Sequence, residues 1–379
     1  MLFLISDKGY LAELYKKRMK SLYEVTTTFL FTKCSKDDKI GNVVNTTYFN
    51  KKVVKTTKRR QARENEKGET DMAVFLKEYI HPDARKMLEK KCTVVDNFNH
   101  PDEIEAIIIR TFDVNAEVMD RCKNLKVIGK HGVGCNTIDL KAAKQRGITV
   151  LNTPRANTNS VAELIVGLIL NISRNITLAH EKSRAGFFKS LAPAEMTGME
   201  LRDKTLGLIG TGNIARQAAD ILKNGFGMKV IGYDPYVDAE AMAAMGYKKY
   251  DTVKEMIANS DVVNVSVPLT SDTRDLIAGD VFDSFRPGAV LVNAARGGIV
   301  NEADLYDALK AGRLRAAACD AFVSEPPTGE NTRLYELDNF VGTPHIGACA
   351  EEALWRMGDE VVREVIKVLE GGEPEHRVI

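Results

Sequence analysis

From residue 72 onward, short apolar runs alternate with longer stretches in which apolar residues recur every three or four positions. Short apolar runs are typical of strands buried in a parallel sheet, and the longer stretches are typical of the helices that cover it. The pattern predicts strands over 74–79, 93–95, 106–109, 126–129, 149–151, 205–209, 230–233, 262–267, 289–293, 316–318 and 340–342. It predicts helices over 83–91, 115–122, 140–145, 160–173, 214–222 and 351–369, and a loop over 181–200. This alternation indicates an α/β fold.

One strand–helix–strand segment, residues 205–234, carries a glycine pattern with a specific physical use. Gly210 permits a tight turn, Gly212 lets the backbone approach a pyrophosphate at a helix N-terminus, and small Ala215 allows close packing of helix on strand. Asp234 ends the next apolar run, 24 residues after Gly210. An acid at roughly this distance (~20 residues) accepts a hydrogen bond from the ribose 2′-hydroxyl of NAD, and it repels the 2′-phosphate of NADP. The segment predicts a Rossmann-type doubly wound parallel sheet that binds NAD.

The first 71 residues differ from the rest of the chain. They contain 16 Lys and Arg against nine Asp and Glu, and they show no sustained hydrophobic period. We expect residues 1–71 to be a basic extension that is disordered or not native, with Met72 as the biological start. A genuine basic appendage is the alternative.

The alternation of strands and helices after Met72 predicts two domains. Asn152-Thr153-Pro154 is interpreted as a hinge between them. The predicted substrate-binding domain is a flavodoxin-like α/β unit formed by residues 72–152 together with 346–379. The predicted NAD-binding domain spans residues 153–345.

Composition excludes several classes of partner. The chain is 44% hydrophobic and 28% charged with a formal net charge of +1, so no overall basic excess indicates nucleic acid. The longest apolar stretch, 161–170, contains Glu163 and is shorter than the ~20 residues that cross a bilayer. Six cysteines without a C-x-x-C pair indicate reduced thiols and a cytoplasmic protein. We expect neither a membrane, nor a nucleic acid, nor a metal ion as partner.

Three predicted strand ends carry side chains suited to chemistry. Arg296 follows the strand at 289–293, Glu325 follows the next strand, and His345 follows the last. Singly, each has an ordinary explanation as a surface ion pair, a loop residue or a structural histidine. Together they supply what reversible carbonyl reduction requires: an imidazole that gives a proton to the carbonyl oxygen, a carboxylate that fixes its tautomer, and a guanidinium that binds a substrate carboxylate.

These residues resemble the D-isomer-specific 2-hydroxyacid dehydrogenase family. The resemblance rests on four motifs: Gly207-Leu-Ile-Gly-Thr-Gly-Asn-Ile-Ala215, Asn293-Ala-Ala-Arg-Gly-Gly-Ile-Val300, the segment 320–327, and Thr343-Pro-His-Ile-Gly-Ala348. It covers the chain from Met72 to the C-terminus. It implies that Arg296 binds the substrate, that His345 is the acid and base, and that Glu325 is its partner.

The same resemblance implies further contacts and an assembly. The residues expected around NAD are Gly210, Gly212, Asn213, Ile214, Asp234, Val267 and the backbone of Ala294 and Ala295, with Asp320 on the nicotinamide side. The family dimerises through its nucleotide-binding domain, which implies a homodimer with helix 160–173 at the interface.

Within the family, the chain is most similar to the 3-phosphoglycerate dehydrogenase branch, which acts in serine biosynthesis. The residues that carry this similarity lie at 107–111, 129–134, 152–154, 173–174 and 345–352. The resemblance implies interconversion of 3-phosphoglycerate and 3-phosphohydroxypyruvate. Arg110, Lys130 and Arg174 stand where that branch carries basic residues for the phosphate, and the backbone of Gly132, Val133 and Gly134 can hold the carboxylate.

Departures from that branch keep other functions open. Phe112 and Asp113 replace residues that are commonly small, and an added acid near a phosphate is unfavourable by Coulomb repulsion. His131 and Val133 also differ from the usual small and hydroxyl residues. A reductase of glyoxylate, hydroxypyruvate or another small 2-oxo acid is the main alternative. An NAD(H)-sensing, corepressor-like regulator is the second, because some relatives of that kind keep the catalytic trio.

Overall fold

The structure is a computed structural model that describes residues 72–379, so the predictions for residues 1–71 lie outside the described residues. The strands are β1 (Ala73–Phe75), β2 (Thr93–Val95), β3 (Ile104–Ile109), β4 (Val127–Lys130), β5 (Thr149–Leu151), β6 (Thr205–Ile209), β7 (Lys229–Tyr233), β8 (Lys248–Lys249), β9 (Val262–Val265), β10 (Val290–Asn293), β11 (Ala316–Cys319) and β12 (Phe340–Gly342). The α-helices are α1 (Pro82–Glu89), α2 (Ala116–Arg121), α3 (Leu140–Gln145), α4 (Thr158–Arg174), α5 (Ile176–Arg184), α6 (Asn213–Phe226), α7 (Ala239–Ala244), α8 (Val253–Ala258), α9 (Glu302–Lys310) and α10 (Glu351–Leu369).

The strands form two parallel sheets. The first has the order β2-β1-β3-β4-β5, and the second has the order β12-β11-β10-β9-β6-β7-β8. The first order is that of flavodoxin-like sheets, and the second reverses direction at β6 and β9, as doubly wound dinucleotide-binding sheets do. The predicted α/β fold with two parallel sheets is confirmed.

Both faces of the seven-stranded sheet are buried, because alternate residues of each strand point to opposite faces. Leu206 and Leu208 of β6 belong to the apolar cluster that contains the buried faces of α4 and α6. Ile209 of β6 and Val263 of β9 belong to the cluster on the opposite face, with α8 and α9. This double burial explains why these strands appear in the sequence as mostly apolar runs, with the buried Asn264 of β9 as an exception.

The five-stranded sheet is covered by α1 and α10 on one face. Gly129 of β4 lies directly under α10, where a Cβ would come within 2.6 Å of Val365 Cγ2 and 2.8 Å of Val361 Cγ2. The last residues of the chain also join this sheet, because Val378 N donates to Val150 O at 2.7 Å and Asn152 N donates to His376 O at 3.2 Å. The C-terminal segment therefore packs beside β5, at the edge of the five-stranded sheet, rather than beside the seven-stranded sheet.

Several predicted boundaries were wrong. The strand predicted over 74–79 ends at Phe75, because the chain then turns away to bring Glu78 to the end of β3. The loop predicted over 181–200 begins instead with a helix that reaches Arg184. Asn175 separates this helix from α4 by adopting a left-handed conformation, φ 54°.

Three helices, α7, α8 and the nine-residue α9, were missed in the sequence, and α9 begins at Asn301, whose side chain accepts a hydrogen bond from Asp304 N at 3.1 Å. The other two are shorter. Each begins at a side-chain cap: Asp238 accepts a hydrogen bond from Ala241 N at 2.7 Å, and Thr252 accepts one from Glu255 N at 3.2 Å. These N-cap residues are a recognised helix-start signal, but six residues are too few to show a hydrophobic period.

Among the described residues, no single helix is long and apolar enough to cross a membrane, although α4 and α5 meet that criterion when they are joined across their 60° bend.

Candidate active site

The strand ends of the seven-stranded sheet bring His345 and Glu325 together. His345 Nδ1 lies 3.0 Å from Glu325 Oε1 and 2.9 Å from Glu325 Oε2. A carboxylate in this position favours the tautomer with the proton on Nδ1, which leaves Nε2 for a ligand. Burial alone would raise the pKa of Glu325, but the hydrogen bond and charge of His345, the N–H of Phe322 and the charge of Arg296 together hold the pKa below its usual value. Glu325 is therefore an ionised partner of the imidazole.

Asp320 supports the backbone on both sides of His345. Its Oδ1 accepts hydrogen bonds from Thr343 Oγ1 at 2.6 Å and from Ile346 N at 2.8 Å, and its Oδ2 accepts one from Gly347 N at 2.8 Å. His345 itself has φ 55°, a conformation that few non-glycine residues adopt without support. The sequence predicted that Asp320 contacts the nicotinamide side of NAD. The structure shows both carboxylate oxygens directed at the His345 loop, residues 343–347.

We expect Asp320→Asn to lower kcat for the predicted reduction of a 2-oxo acid by about tenfold or more, while NADH binding stays unchanged. A side-chain amide would present an NH₂ group to N–H donors that now meet a carboxylate oxygen, so the His345 loop would lose at least one hydrogen bond. The comparison variant is Asp338→Asn, which removes a surface carboxylate paired with Lys182. Equal kcat values for the two variants, measured well below their unfolding temperatures, would contradict this role.

Arg296 extends from the seven-stranded sheet to the loop that follows β4. Its Nε donates to Asn136 Oδ1 at 3.3 Å, and its Nη1 donates to Ala295 O at 2.6 Å. The guanidinium lies directly on Gly134, where an added Cβ would fall 1.8 Å from Nη2. The two sheets thus supply one composite site. Asn136, which was not predicted from the sequence, contacts the guanidinium from the other sheet.

The loop of Gly132, Val133 and Gly134 is shaped by two further residues. Gly132 has φ 135° and donates its N–H to Thr153 Oγ1 at 3.0 Å, while Asn152 Nδ2 donates to Val133 O at 2.8 Å. The N–H groups of Val133 and Gly134 have no acceptor among residues 72–379. Two free N–H groups beside a guanidinium are suited to bind an anion.

The glycine-rich turn after β6 fits a dinucleotide. Gly210 has φ 84°, and a Cβ there would lie 2.7 Å from Ser266 O and from Val267 Cγ1. Gly212 is the N-cap of α6, and a Cβ there would meet no described atom within 4 Å. The open first turn contains Asn213 and Ile214, so its N–H groups can receive a pyrophosphate.

Asp234 lies beside the same turn. Its Oδ2 accepts hydrogen bonds from Thr211 N at 2.9 Å and from Thr211 Oγ1 at 3.0 Å. The carboxylate is therefore fixed at the end of β7, where a ribose hydroxyl would bind. Ala294 and Ala295 follow β10 on the same edge, and Ala295 N donates to Asn293 Oδ1 at 3.1 Å.

The three basic residues expected at a phosphate occupy different places. Arg110 lies at the end of β3, with Nη2 3.8 Å from Cys349 Sγ, and so reaches the segment that follows His345. Lys130 is buried, and its ammonium donates to Arg110 O and to Thr137 Oγ1. Arg174 ends α4, roughly 20 Å along that helix from Ser160, which bonds Gly347 O in the His345 loop. Of these three residues, Arg110 is the one whose charged group lies near the His345 loop, Lys130 lies behind it, and Arg174 lies far along α4.

His131 is a buried histidine beneath the first turns of α10. It is 3% exposed, and neither ring nitrogen has a hydrogen-bond partner in the described part of the chain. Burial, aided by the charge of Arg110, lowers the pKa of His131 to about 4, and the nearby backbone groups of His131 and Leu354 offset only part of this. The imidazole is therefore neutral in the folded protein near neutral pH.

This burial should make the protein sensitive to acid. The unfolded chain binds a proton near the ordinary pKa of 6.5, whereas the folded chain does so only near 4. The stability contributed by neutral His131 is therefore fully present above pH 6.5. It falls as the pH drops from 6.5 to 4, by up to about 3 kcal/mol in the free energy of unfolding. We expect unfolding free energies of His131→Ala to depend less on pH over this range. An equal change in the exposed control His100→Ala would argue against the assignment.

Comparison with known proteins identifies the family of the chain. Residues 166–347 match the model of the D-isomer specific 2-hydroxyacid dehydrogenase, NAD binding domain. The chain is 39% identical over 307 residues to a D-3-phosphoglycerate dehydrogenase of Methanocaldococcus jannaschii, which covers 79% of this chain and 57% of the relative. It is 41% identical over 269 residues to a hydroxypyruvate reductase of Thermotoga maritima, which covers 70% of this chain and 85% of the relative.

A solved structure shows the same similarity in three dimensions. The holo form of Rhodotorula graminis D-mandelate dehydrogenase has a TM-score of 0.73 and 26% identity, over 82% of this chain and 98% of that one. The chain spans about half the length of the D-3-phosphoglycerate dehydrogenases that it matches. With its two parallel sheets, its glycine-rich turn and the four ordered motifs, the chain belongs to the D-isomer specific 2-hydroxyacid dehydrogenase family and carries that family's NAD-binding domain.

Proposed function

We propose that the protein is an NAD-dependent oxidoreductase that interconverts a D-2-hydroxy acid and its 2-oxo acid. The observation that carries this proposal is that an acid–base pair and a guanidinium lie near each other. The His345–Glu325 pair lies at strand ends of the seven-stranded sheet, and Arg296 of the same sheet lies on the Gly134 loop of the other, near enough to Glu325 for its charge to lower the pKa of that carboxyl. An acid–base group beside a carboxylate site is what reduction of a 2-oxo acid requires.

Each residue then has a defined role in the reaction. Arg296 and the N–H groups of Val133 and Gly134 bind the substrate carboxylate, and the guanidinium also polarises the adjacent carbonyl. His345 gives a proton from Nε2 to the carbonyl oxygen in reduction and takes it back in oxidation, while Glu325 holds Nδ1 and stabilises the charged imidazole. NAD, when bound at Gly210, Gly212 and Asp234, supplies or accepts the hydride. Asp320 keeps His345 in position.

We propose the two sheets as the cores of two functional domains. Residues 72–152 with 346–379 bind the distal part of the substrate, residues 153–345 bind NAD, and Asn152-Thr153-Pro154 is the hinge. A homodimer through the NAD-binding domain also remains our proposal, which sedimentation or size-exclusion measurements would test.

For the substrate, we propose 3-phosphoglycerate and 3-phosphohydroxypyruvate. The D-3-phosphoglycerate dehydrogenases among the relatives support this choice, as does the position of Arg110 close to Cys349. A second candidate, hydroxypyruvate or glyoxylate, is favoured by a specific observation: the ammonium of Lys130 already donates to Arg110 O and Thr137 Oγ1. Of the three basic residues expected at a phosphate, only Arg110 therefore directs its charged group toward Cys349, within the described part of the chain. The hydroxypyruvate reductase of Thermotoga maritima supports this candidate.

A substrate panel tests the proposal. Purified protein would be mixed with NADH and, in turn, 3-phosphohydroxypyruvate, hydroxypyruvate and glyoxylate, and the loss of NADH absorbance would be followed. Arg110→Ala should reduce kcat/KM for the phosphorylated substrate by about tenfold more than for glyoxylate if a phosphate is the natural group. An equal loss on all three would favour the small 2-oxo acids. Tight NADH binding without reduction of any 2-oxo acid would favour the NAD(H)-sensing regulator instead.

A further inference from the structure

Glu78 makes an unusually complete set of contacts at the end of β1. Its Oε2 accepts a hydrogen bond from Arg110 N at 2.6 Å and from Phe112 N at 3.2 Å, and its Oε1 accepts one from Thr111 N at 2.7 Å and from Thr111 Oγ1 at 2.5 Å. Three successive backbone N–H groups and one hydroxyl thus point at a single carboxylate. Such a turn would otherwise be an anion-binding site, and the protein occupies it with its own side chain.

These contacts connect neighbouring strands at the edge that faces the substrate. β1 and β3 are adjacent and parallel, Glu78 follows the end of β1, and residues 110–112, which we call the Arg110 turn, follow the end of β3. Burial alone would raise the pKa of Glu78, but the hydrogen bonds from the Arg110 turn outweigh it and lower the pKa. The side chain is therefore ionised near neutral pH, which strengthens each of its hydrogen bonds.

The backbone of Arg110 is bound on both sides by groups of opposite charge. Its N–H donates to the Glu78 carboxylate, and its C=O accepts from the buried ammonium of Lys130. The side chain then extends past Tyr79 O, 3.4 Å from Nη1, toward Cys349 Sγ, 3.8 Å from Nη2. Cys349 lies four residues after His345, so the guanidinium reaches the rim of the cleft in which His345 acts.

We propose that Glu78 is a positioning residue that fixes the Arg110 turn, so that Arg110 meets the end of the substrate farthest from the carboxylate that Arg296 binds. This inference rests on the proposed function and adds a residue that determines specificity. Glu78 does not touch the substrate. It acts through Arg110, and its effect is confined to substrates that have a group for Arg110 to bind.

Glyoxylate separates a positioning role from general structural damage, because it carries no group beyond its carbonyl carbon. The variant Glu78→Gln keeps the size of the side chain but places an NH₂ group against N–H donors of the turn. For 3-phosphohydroxypyruvate and hydroxypyruvate, whichever the protein reduces, we expect KM to rise by about tenfold with kcat within about twofold. For glyoxylate, kcat/KM should stay within about twofold of wild type. Glu89→Gln, which removes a surface carboxylate paired with Arg85, is the matched control and should change none of these values.

The double variant Glu78→Gln/Arg110→Ala completes the test. If Glu78 acts through Arg110, it adds no further loss to Arg110→Ala alone, and full additivity overturns the proposal. So does an equal loss on glyoxylate, or a Glu78→Gln enzyme that behaves like wild type on every substrate. Should Glu78→Gln fail to fold, Glu78→Asp keeps the charge with a shorter reach, and it is expected to raise KM selectively in the same direction. A wild-type protein that reduces none of the three 2-oxo acids would overturn the proposed function itself, which is a result distinct from a missing Glu78 effect.

Discussion

His345→Asn is expected to lower kcat for 2-oxo acid reduction by about 10³-fold, within the range for loss of a general acid. Asparagine is the informative replacement because it tolerates the left-handed backbone, φ 55°, that position 345 adopts. The variant therefore removes the imidazole without displacing the loop that Asp320 supports. NADH binding, measured by its fluorescence, should be unchanged, since the side chain acts on the substrate oxygen rather than on the nucleotide.

The hydrogen bond between His345 and Glu325 predicts an intermediate loss of kcat when Glu325 is replaced. Glu325→Gln keeps an oxygen for Nδ1 but removes the charge that stabilises the protonated imidazole, so its loss in kcat should lie between wild type and His345→Asn. The control is His180→Asn, a substitution of an exposed histidine on α5. If His345→Asn retained kcat within about threefold of that control, the assignment of His345 as acid and base would be wrong.

Gly134→Ala is expected to raise KM for a 2-oxo acid by about 30-fold or more with little change in stability. A methyl group at this position would lie 1.8 Å from Arg296 Nη2 and 2.9 Å from its Cζ. The guanidinium is the far end of a flexible side chain, so it would move away rather than unfold the protein. The substitution would therefore weaken binding of the substrate carboxylate, which would lose its charge-assisted hydrogen bonds, and would leave the free energy of unfolding nearly unchanged.

A second glycine variant separates this effect from the general consequence of adding a methyl group. Gly225 lies within α6, and a Cβ there would meet no described atom within 4 Å. Gly225→Ala should keep wild-type KM and gain up to about 1 kcal/mol of stability from helix propensity. If Gly134→Ala also kept wild-type KM, the carboxylate would have to bind away from Arg296.

Much of this architecture was accessible from the hydrophobic pattern, and the reasons are physical. Buried parallel strands such as β6 and β11 are apolar on both faces, so they appear as uninterrupted runs, whereas β9 carries the buried Asn264. The glycines at 210 and 212 were identifiable because a tight turn and a close approach to a ligand leave few other choices of residue. Short helices are different: α7 and α8 depend on their caps and on the sheet behind them, and their sequences carry too little periodicity.

The details of the site were harder to predict because they depend on contacts distant in sequence. Asn136 and Arg296 are 160 residues apart, and nothing near Asn136 indicates that its amide oxygen meets a guanidinium. Lys130 was expected to bind a phosphate because the 3-phosphoglycerate dehydrogenase branch carries a basic residue there. Its ammonium donates to the backbone carbonyl of Arg110, the residue that follows the neighbouring strand β3. Asp320 was identified as a site residue, but only the structure shows which groups its two oxygens face.

The placement of Arg296 on the Gly134 loop links ligand affinity to the arrangement of the protein as a whole. In the proposed carboxylate site, each sheet supplies one half, so a bound carboxylate would bridge them and its binding free energy would also hold the two halves of the molecule together. By mass action, a ligand that binds only the joined arrangement stabilises it in proportion to the logarithm of its concentration. A carboxylate bound at the proposed site would therefore act as a cross-brace between the two sheets, in addition to the contact of Arg296 with Asn136 that already joins them.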